Sequence, residues 1–305
     1  MSLMDLFSLQ GTLFMLMLVG AFLKRRGVIT AEGKTCLSDL CMNLVIPCNI
    51  FKSFLIRFDG EIFHSCALLL LSAVLMQAVC LILNQFVYRR IEPQRRKVLQ
   101  YCTIVPMSGF LGNPIAEGIY DSIGVMYTSI YLIPMRIVMW SMGTSYFVAD
   151  EKINRRKVLR NIALHPCLVA IYLGLFFMVT QWPLPRFLTE TVRFFGNCNT
   201  ALTMLIVGTI LADVQPRELL DRTAFGYSGL RLLLLPAVAF ILGRLLHLGP
   251  IAHGISVLMT GMPAGATAAI FAARYHSDAV FATKCVILST LFSMITLPVW
   301  CYLVG

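Results

Sequence analysis

The stretch that decides the fold reads Val105-Pro106-Met107-Ser108-Gly109-Phe110-Leu111-Gly112-Asn113-Pro114-Ile115-Ala116-Glu117-Gly118, inside a segment otherwise apolar enough to cross a bilayer. Pro114 has no N–H to donate and crowds the carbonyl four residues before it, while Gly109 and Gly112 let the backbone unwind. The stretch therefore predicts a helix that breaks at membrane depth and frees backbone polar groups. Lipid cannot satisfy such groups, so they are expected to face protein or water.

A second stretch of the same kind lies far downstream and reads Thr260-Gly261-Met262-Pro263-Ala264-Gly265-Ala266-Thr267-Ala268. Either stretch alone is also compatible with a proline kink eased by packing glycines. A pair of interrupted apolar helices, one in each half of a chain, is typical of transporters that bind their substrate where the helices cross. The pair therefore favours a binding site built from broken helices.

The composition indicates an all-α polytopic membrane protein. The chain has 305 residues, of which 58% are hydrophobic and 13% charged, and its mean hydropathy is +0.79. Soluble domains carry about a quarter charged residues. The net charge of +10 comes from short basic loops between apolar segments, which set topology in the lipid bilayer and do not indicate nucleic-acid binding.

Ten segments meet the requirement of about 20 apolar residues per transmembrane helix. Two sets of five fit this number, and an odd number of crossings makes the second set enter the membrane from the opposite side. The sequence thus predicts a 5+5 inverted repeat, residues 1–150 and 151–305, with broken helices 4 and 9 crossing near the midplane. The predicted spans are residues 6–23, 35–55, 63–88, 98–120, 123–149, 162–181, 188–212, 227–246, 251–275 and 279–304.

Basic residues alternate strongly between the two predicted sides of the membrane. One side takes 19 of the 25 Lys and Arg residues, including Arg217 to Arg231, whereas the other has only five and Arg136 falls within a span. Because the basic side faces the cytoplasm, both termini are expected outside the cytoplasm, in a plasma (inner) membrane.

At each predicted break a new half-helix begins, near Asn113 and near Gly265. Each start offers unpaired N–H groups and the positive end of a helix dipole, which together form an anion site. Asn113 is a favoured N-cap type, and Pro114 suits the first helical turn. The residues predicted to bind substrate at the crossing are Gly112, Asn113, Pro114, Pro263, Gly265 and Thr267.

Charged and amide side chains at mid-depth extend this prediction. Arg136 lies near the centre of a span, where it is costly unless it has an anionic or carbonyl partner. It either pairs with Glu117 or holds a substrate carboxylate. Glu117 is a candidate proton carrier, with a position in outer water near Asp121 as the alternative. Asn49 and Asn199 either line the site or bond between helices.

Several segments resemble the auxin efflux carrier family in its prokaryotic form. They are residues 109–114 (GFLGNP), 207–212 (VGTILA), 261–265 (GMPAG), 271–275 (FAARY) and 288–298 (LSTLFSMITLP). The resemblance spans the whole chain. It implies a five-plus-five inverted fold with crossed helices four and nine and an elevator-like movement of organic anions. By resemblance, the crossover asparagine of the family is Asn113, and its crossover prolines are Pro114 and Pro263.

The chain also departs from the family. A proline common before the apolar run of helix seven is replaced by Asn199-Thr200-Ala201, the second proline of helix nine in plant carriers is Ala268, and the long central loop of plant carriers is absent from the sequence. The substrate auxin is therefore not carried over to this chain.

These observations predict a secondary active transporter of a small organic anion, such as a carboxylate, with proton coupling as an open question. The sequence carries no ATP-binding loop and no hydrolase or metalloprotease signature, so an enzyme, a cofactor and a metal site are not expected. Two alternatives remain, an anion channel and a membrane sensor that binds the anion without moving it. Association into a homodimer is a further open alternative.

Overall fold

The computed structural model describes residues 3–56, 60–139, 163–212, 221–275 and 277–304, together with residues 146 and 160. Over these residues the chain is helical, and its β pairing is limited to an isolated bridge between Pro106 and Ala264. The fold is therefore all-α, as predicted. The helices are α1 Leu3–Arg25, α2 Ala31–Leu40, α3 Ile46–Ser53, α4 Gly60–Phe86, α5 Pro93–Ile104, α6 Asn113–Val138, α7 Pro166–Thr180, α8 Arg186–Asn197, α9 Asn199–Leu211, α10 Arg222–Gly229, α11 Leu235–Leu245, α12 Pro250–Thr260, α13 Thr267–Arg274 and α14 Ala279–Val304.

Four stretches of helix in the described residues are long and apolar enough to cross a membrane. They are α4, α14, the α8–α9 stretch Arg186–Leu211 and the α10–α11 stretch Arg222–Leu245, with α7 and α12 as shorter apolar helices. This supports a polytopic membrane protein. The arrangement of ten spans in a 5+5 repeat stays a prediction, because most of the end of the predicted fifth span and nearly all of the basic loop at 150–160 lie outside the described residues.

Three prolines in the described helices follow local widenings of the backbone. Three π turns, Cys41–Val45, Ser108–Gly112 and Leu230–Leu234, are each followed two residues later by a proline. A π turn moves away the carbonyl that the proline ring would otherwise crowd. The helix also needs no hydrogen bond from the proline nitrogen at that position. The second of these turns runs directly into α6, so the prediction of a break at Gly112-Asn113 is wrong, and the non-helical backbone lies at 105–107.

The first of two compact units consists of the described parts of Met1–Ala67, Gly109–Ile130 and Ala163–Asp213. Glycines let α1 and α9 approach closely, since a Cβ on Gly20 would collide with the Leu205 backbone and one on Gly208 with the Met17 backbone. Between α8 and α3, a Cβ on Gly196 of α8 would lie 3.1 Å from the Cα of Asn49 of α3. The close packing of α3 on α8 fixes the position of this asparagine.

The second compact unit consists of the described parts of Leu68–Ser108, Tyr131–Ile162 and Val214–Gly305. Arg95 holds the starts of α5, α10 and α14 together, because its guanidinium lies 3.0 Å from Asp221 and 3.3 Å from Asp278. The hydroxyls of Ser72 on α4 and Ser256 on α12 are 3.0 Å apart. Each unit draws on both halves of the chain, and the division into repeats 1–150 and 151–305 stays a prediction.

Candidate functional site

The two broken segments pair through their backbones in the second unit. After α5 ends at Ile104 and α12 at Thr260, the Met107 amide donates to the Pro263 carbonyl at 2.8 Å, and the Gly265 amide donates to the Val105 carbonyl at 3.0 Å. These bonds form the antiparallel bridge around Pro106 and Ala264. We call residues 105–107 and 263–265 the crossing. Two of the predicted site residues, Pro263 and Gly265, lie in it.

Gly265 is required by the closeness of the two strands at the crossing. A Cβ at this position would lie 2.9 Å from the carbonyl oxygen of Val105, closer than real Cβ contacts. Any other residue would push the strands apart and weaken the two backbone bonds. The predicted role of Gly265 in substrate binding is not tested by this geometry, whereas a role in forming the crossing follows from it directly.

Side chains of the second unit satisfy the carbonyls that end α5. The Tyr227 hydroxyl donates to the Cys102 carbonyl at 2.9 Å, Arg231 Nη1 donates to the Thr103 carbonyl at 2.8 Å, and Gln77 Nε2 donates to the Ile104 carbonyl at 3.5 Å. The helix break therefore leaves these groups inside the protein with partners. This is the condition under which irregular backbone is tolerated at membrane depth.

Side chains also satisfy backbone groups at the second break, which follows α12. Arg231 Nε donates to the Met262 carbonyl at 2.9 Å, and the Ala264 amide donates to the Ser289 hydroxyl at 3.0 Å. Arg231 was counted among the cytoplasmic loop residues from sequence, and this is wrong, because it lies in a π turn within a helix and is 2% exposed. Its position inside a predicted span was the signal that could have found it.

A small cavity of about 20 Å³ adjoins the crossing in the second unit. Residues of both broken segments line it, including Pro106 and Thr260, together with Arg231, Gln77 and Tyr131. One water needs about 10–15 Å³ of such a cavity. The cavity therefore accommodates a water or a single small ion and is too small for an organic anion.

Two further predicted residues also belong to the second unit. Arg136 is 5% exposed, and its Nη1 has no hydrogen-bond partner in the described part of the chain. Thr267 begins α13, and its hydroxyl accepts a hydrogen bond of 3.0 Å from the Tyr101 hydroxyl. Arg136 thus retains a buried donor for a ligand, whereas the hydroxyl of Thr267 is already engaged.

The remaining predicted residues gather in the first unit, where buried amides stand out. Asn49, Asn113 and Asn199 are each 0% exposed. Among the described residues, both side-chain polar atoms of Asn113 and of Asn199 have no hydrogen-bond partner, and neither has Asn49 Oδ1. Each such atom costs about 1–3 kcal/mol when it is left unsatisfied. Buried amides of this kind in native proteins call for a partner, such as an ordered water, an ion or a ligand.

Asn113 does not cap a helix as the sequence predicted. The π turn Ser108–Gly112 precedes it without interruption, so the first turn of α6 continues an existing helix and has no free N–H groups for a cap to satisfy. Gly112 and Pro114, on either side of it, are buried as well. The Asn113 carboxamide is therefore available for another partner.

Glu117 lies one turn along α6 from Asn113 and has partners in the same unit. Its Oε1 is 2.9 Å from Lys52 Nζ, and its Oε2 accepts a 3.3 Å hydrogen bond from Asn49 Nδ2. Lys52 also donates to Asn197 Oδ1 at 3.1 Å. Of the two alternatives for Arg136, pairing with Glu117 does not hold, because Glu117 pairs with Lys52. Lys52 is not among the residues predicted from sequence, although it lies within the predicted span 35–55.

The pairing with Lys52 connects the predicted proton carrier to the asparagines. Side chains of Lys52 and Glu117 are 18% and 24% exposed, so the pair is largely removed from solvent. Asn49 contacts Glu117 directly, and Gly196, three residues before Asn199, packs against the backbone of Asn49. The predicted residues Asn49 and Glu117 thus form one hydrogen-bonded group, with Asn113 one turn before Glu117 on α6 and Asn199 at the start of α9.

Comparison with known proteins agrees with this architecture. The sequence profile of a family described as "Membrane transport protein" matches residues 11–301. An uncharacterized transporter from Methanothermobacter thermautotrophicus is 26% identical over 302 residues, which cover 95% of each chain. The uncharacterized transporter YfdV of Escherichia coli (strain K12) is 22% identical over 300 residues, again 95% of each chain. An uncharacterized transporter from Methanocaldococcus jannaschii is 20% identical over 294 residues, 93% of this chain and 94% of the relative. With a match that runs over nearly its whole length, the chain belongs to the auxin efflux carrier family of membrane transporters.

Proposed function

We propose that this transporter is a secondary carrier of a small organic anion, in particular a carboxylate. The observation that carries the proposal is the set of unpartnered amide atoms on Asn49, Asn113 and Asn199, all fully buried in the first unit. Amide N–H groups match carboxylate oxygens.

The same set of atoms narrows the substrate class. Three of the unpartnered atoms are amide oxygens, on Asn49, Asn113 and Asn199, and these need donors from the ligand. A carboxylate that also carries a hydroxyl or N–H group would satisfy both kinds of atom. Hydroxycarboxylates are therefore expected to bind better than carboxylates of the same length without the hydroxyl.

The ion pair of Glu117 with Lys52 supplies a route to proton coupling. With Glu117 ionised, the pair is neutral and Lys52 is engaged. Protonation of Glu117 removes its charge and leaves the ammonium of Lys52 uncompensated beside the asparagines. Because an unpaired cation attracts an anion, proton binding and anion binding strengthen one another, as thermodynamic linkage requires. We propose anion–proton symport on this basis.

The movement that we propose is alternating access of the elevator type. The unit that holds the asparagines would move as a body and carry the bound anion, and the division of the chain into two compact units supports this. In the other unit the crossing is tied by backbone bonds and by Arg231, so its backbone groups stay partnered during the movement. Movement of this kind fits carriers built on broken helices.

Flux measurements on purified protein in proteoliposomes test the proposal. Labelled malate, a hydroxycarboxylate, is expected to enter saturably and to exchange faster when malate is present on the far side, whereas succinate serves as the matched probe without the hydroxyl. Flux that does not saturate and is not stimulated from the far side would indicate the anion channel. Binding without flux would indicate the sensor. A preference for a cation such as choline would overturn the assignment to anions.

The orientation in the membrane is a separate proposal. We propose that both termini and Arg186 face outside the cytoplasm and that Lys34 faces inside, in the plasma (inner) membrane, because of the distribution of basic residues. In a background without cysteine, position 186 mutated to cysteine should react with an impermeant maleimide in intact cells, and position 34 only after permeabilisation. The reverse pattern would contradict the predicted topology.

A further inference from the structure

Arg231 joins the two broken segments of the second unit through a single guanidinium. Its Nη1 donates to the Thr103 carbonyl at 2.8 Å and its Nε to the Met262 carbonyl at 2.9 Å. The side chain is 2% exposed, and no carboxylate lies within ion-pair distance of it in the described part of the chain. Its charge is therefore balanced by backbone carbonyls.

These carbonyls belong to the electronegative ends of two helices. Thr103 is in the last turn of α5, and Met262 follows the end of α12 at Thr260. Helix C-termini carry partial negative charge, which favours a cation. In carriers with discontinuous helices, unwound carbonyls and half-helix C-termini are the groups that coordinate a coupling Na⁺ or proton. Arg231 occupies the place at which such a cation would be bound.

We propose that Arg231 is a tethered cation that takes the place of a metal coupling ion at the crossing. Guanidinium remains protonated at every pH of biological interest, so its charge is permanent. The transporter thereby holds a fixed positive charge at its broken helices and needs no Na⁺ or K⁺ to stabilise them. The crossing stays neutralised in both halves of a transport cycle, whatever the cation composition on either side of the membrane.

Holding the substrate is the competing role for Arg231, and the geometry disfavours it. Nε and Nη1 are already committed to carbonyls, and the adjoining cavity of about 20 Å³ is too small for an organic anion. That cavity is lined by Arg231, Tyr131 and Thr260. Truncation of Arg231 would enlarge it into a space with carbonyl and hydroxyl oxygens, which are ligands for a small cation.

Chemical rescue tests the tethered cation and needs no knowledge of the substrate. The thermal unfolding of wild type and Arg231→Ala is measured in lipid nanodiscs at constant ionic strength, with choline, Na⁺, K⁺ or guanidinium at low millimolar concentration. Wild type should unfold at the same temperature in all four salts. Arg231→Ala should unfold at a lower temperature in choline and recover part of the loss, saturably, with guanidinium or with one of the metal cations.

Arg244→Ala is the matched control, because Arg244 lies on the next part of the same helix and its guanidinium stacks over the Phe240 ring at 5.2 Å. It should show no response to guanidinium. If Arg231→Ala does not fold in choline, Arg231→Gln, which keeps a donor for one carbonyl, replaces it in the same measurements. Absence of any saturable rescue of the truncated variant would overturn the proposal. A saturable rise of wild-type stability with Na⁺ or K⁺ would overturn it as well. Since neither outcome involves anion flux, the proposed function is tested independently.

Discussion

Glu117→Gln is the substitution that tests proton coupling most sharply. Glutamine has the shape of a protonated glutamate, and its Oε1 can keep the hydrogen bond from Asn49. Lys52 loses the carboxylate at 2.9 Å and behaves as it would beside protonated Glu117. The variant is therefore expected to be held permanently in the state that attracts the anion.

The structure allows the size of the effect to be estimated. A freed Lys52 ammonium that bonds to the anion contributes about 1.5–3 kcal/mol, the range for hydrogen bonds to charged groups, or about ten- to a hundredfold in affinity. In wild type a proton is taken up with each anion, so proton binding and anion binding strengthen one another. Affinity should rise as the pH falls. In the variant the affinity should be high and independent of pH.

Calorimetric titration at several pH values, with the best carboxylate from the flux assay, measures how the anion affinity of each protein depends on pH. Proteoliposomes then show whether a pH gradient drives accumulation, which Glu117→Gln should abolish while exchange persists. Glu190→Gln is the matched control, since Glu190 forms an exposed ion pair of 2.7 Å with Arg193 in the same unit, and it should behave as wild type. If Glu117→Gln kept the wild-type dependence of anion affinity on pH, the coupling mechanism would be refuted.

Two further substitutions probe the second unit. Gly265→Ala should lower the free energy of unfolding by about 1–3 kcal/mol, because the new methyl would lie 2.9 Å from the Val105 carbonyl oxygen. Gly249→Ala is the control and should lose little stability, because a Cβ there would have nothing within 4 Å. Thermal unfolding in nanodiscs measures both variants, and equal stability of the two would contradict the close approach at the crossing. Arg136→Ala removes a buried donor whose Nη1 has no partner among the described residues, and it should weaken anion binding at least about tenfold; unchanged affinity in calorimetry would show that Arg136 does not bind the anion.

The places where the helices break could be predicted from local sequence alone. Proline and glycine act on their own backbone, so the stretches around Pro106 and Pro263 identify themselves without any knowledge of the fold. The two stretches do pair at the crossing. The exact start of the half-helix was missed because no local pattern distinguishes the π turn Ser108–Gly112 before Asn113 from a break.

The partners of buried polar groups could not be predicted in the same way. Arg231 reaches Thr103 across 128 residues of sequence, and Lys52 reaches Glu117 across 65. Several side chains could have satisfied the same carbonyl or carboxylate, and the choice depends on the tertiary packing of helices. Arg136 and Glu117 were matched by charge alone, although a closer cation was available.

Amide side chains lie between these two cases. Asn49, Asn113 and Asn199 were predicted from their depth in apolar helices, and the structure buries all three in one unit. Whether they bond between helices or remain available for a ligand could not be decided from sequence, because the answer depends on which atoms lie opposite. In the structure, five of their amide atoms have no partner among the described residues.

The affinity and stability of Asn113→Ala, measured together, test the central claim that buried asparagines bind the anion. Removal of an amide whose two polar atoms have no partner should leave the unfolding temperature unchanged or higher, because an unsatisfied buried group costs about 1–3 kcal/mol. Anion binding should weaken about ten- to a hundredfold, since a hydrogen bond to a charged ligand is lost. Asn43→Ala, at an exposed asparagine bonded to the Asp39 carbonyl, should retain wild-type affinity. Wild-type anion affinity in Asn113→Ala would contradict the account.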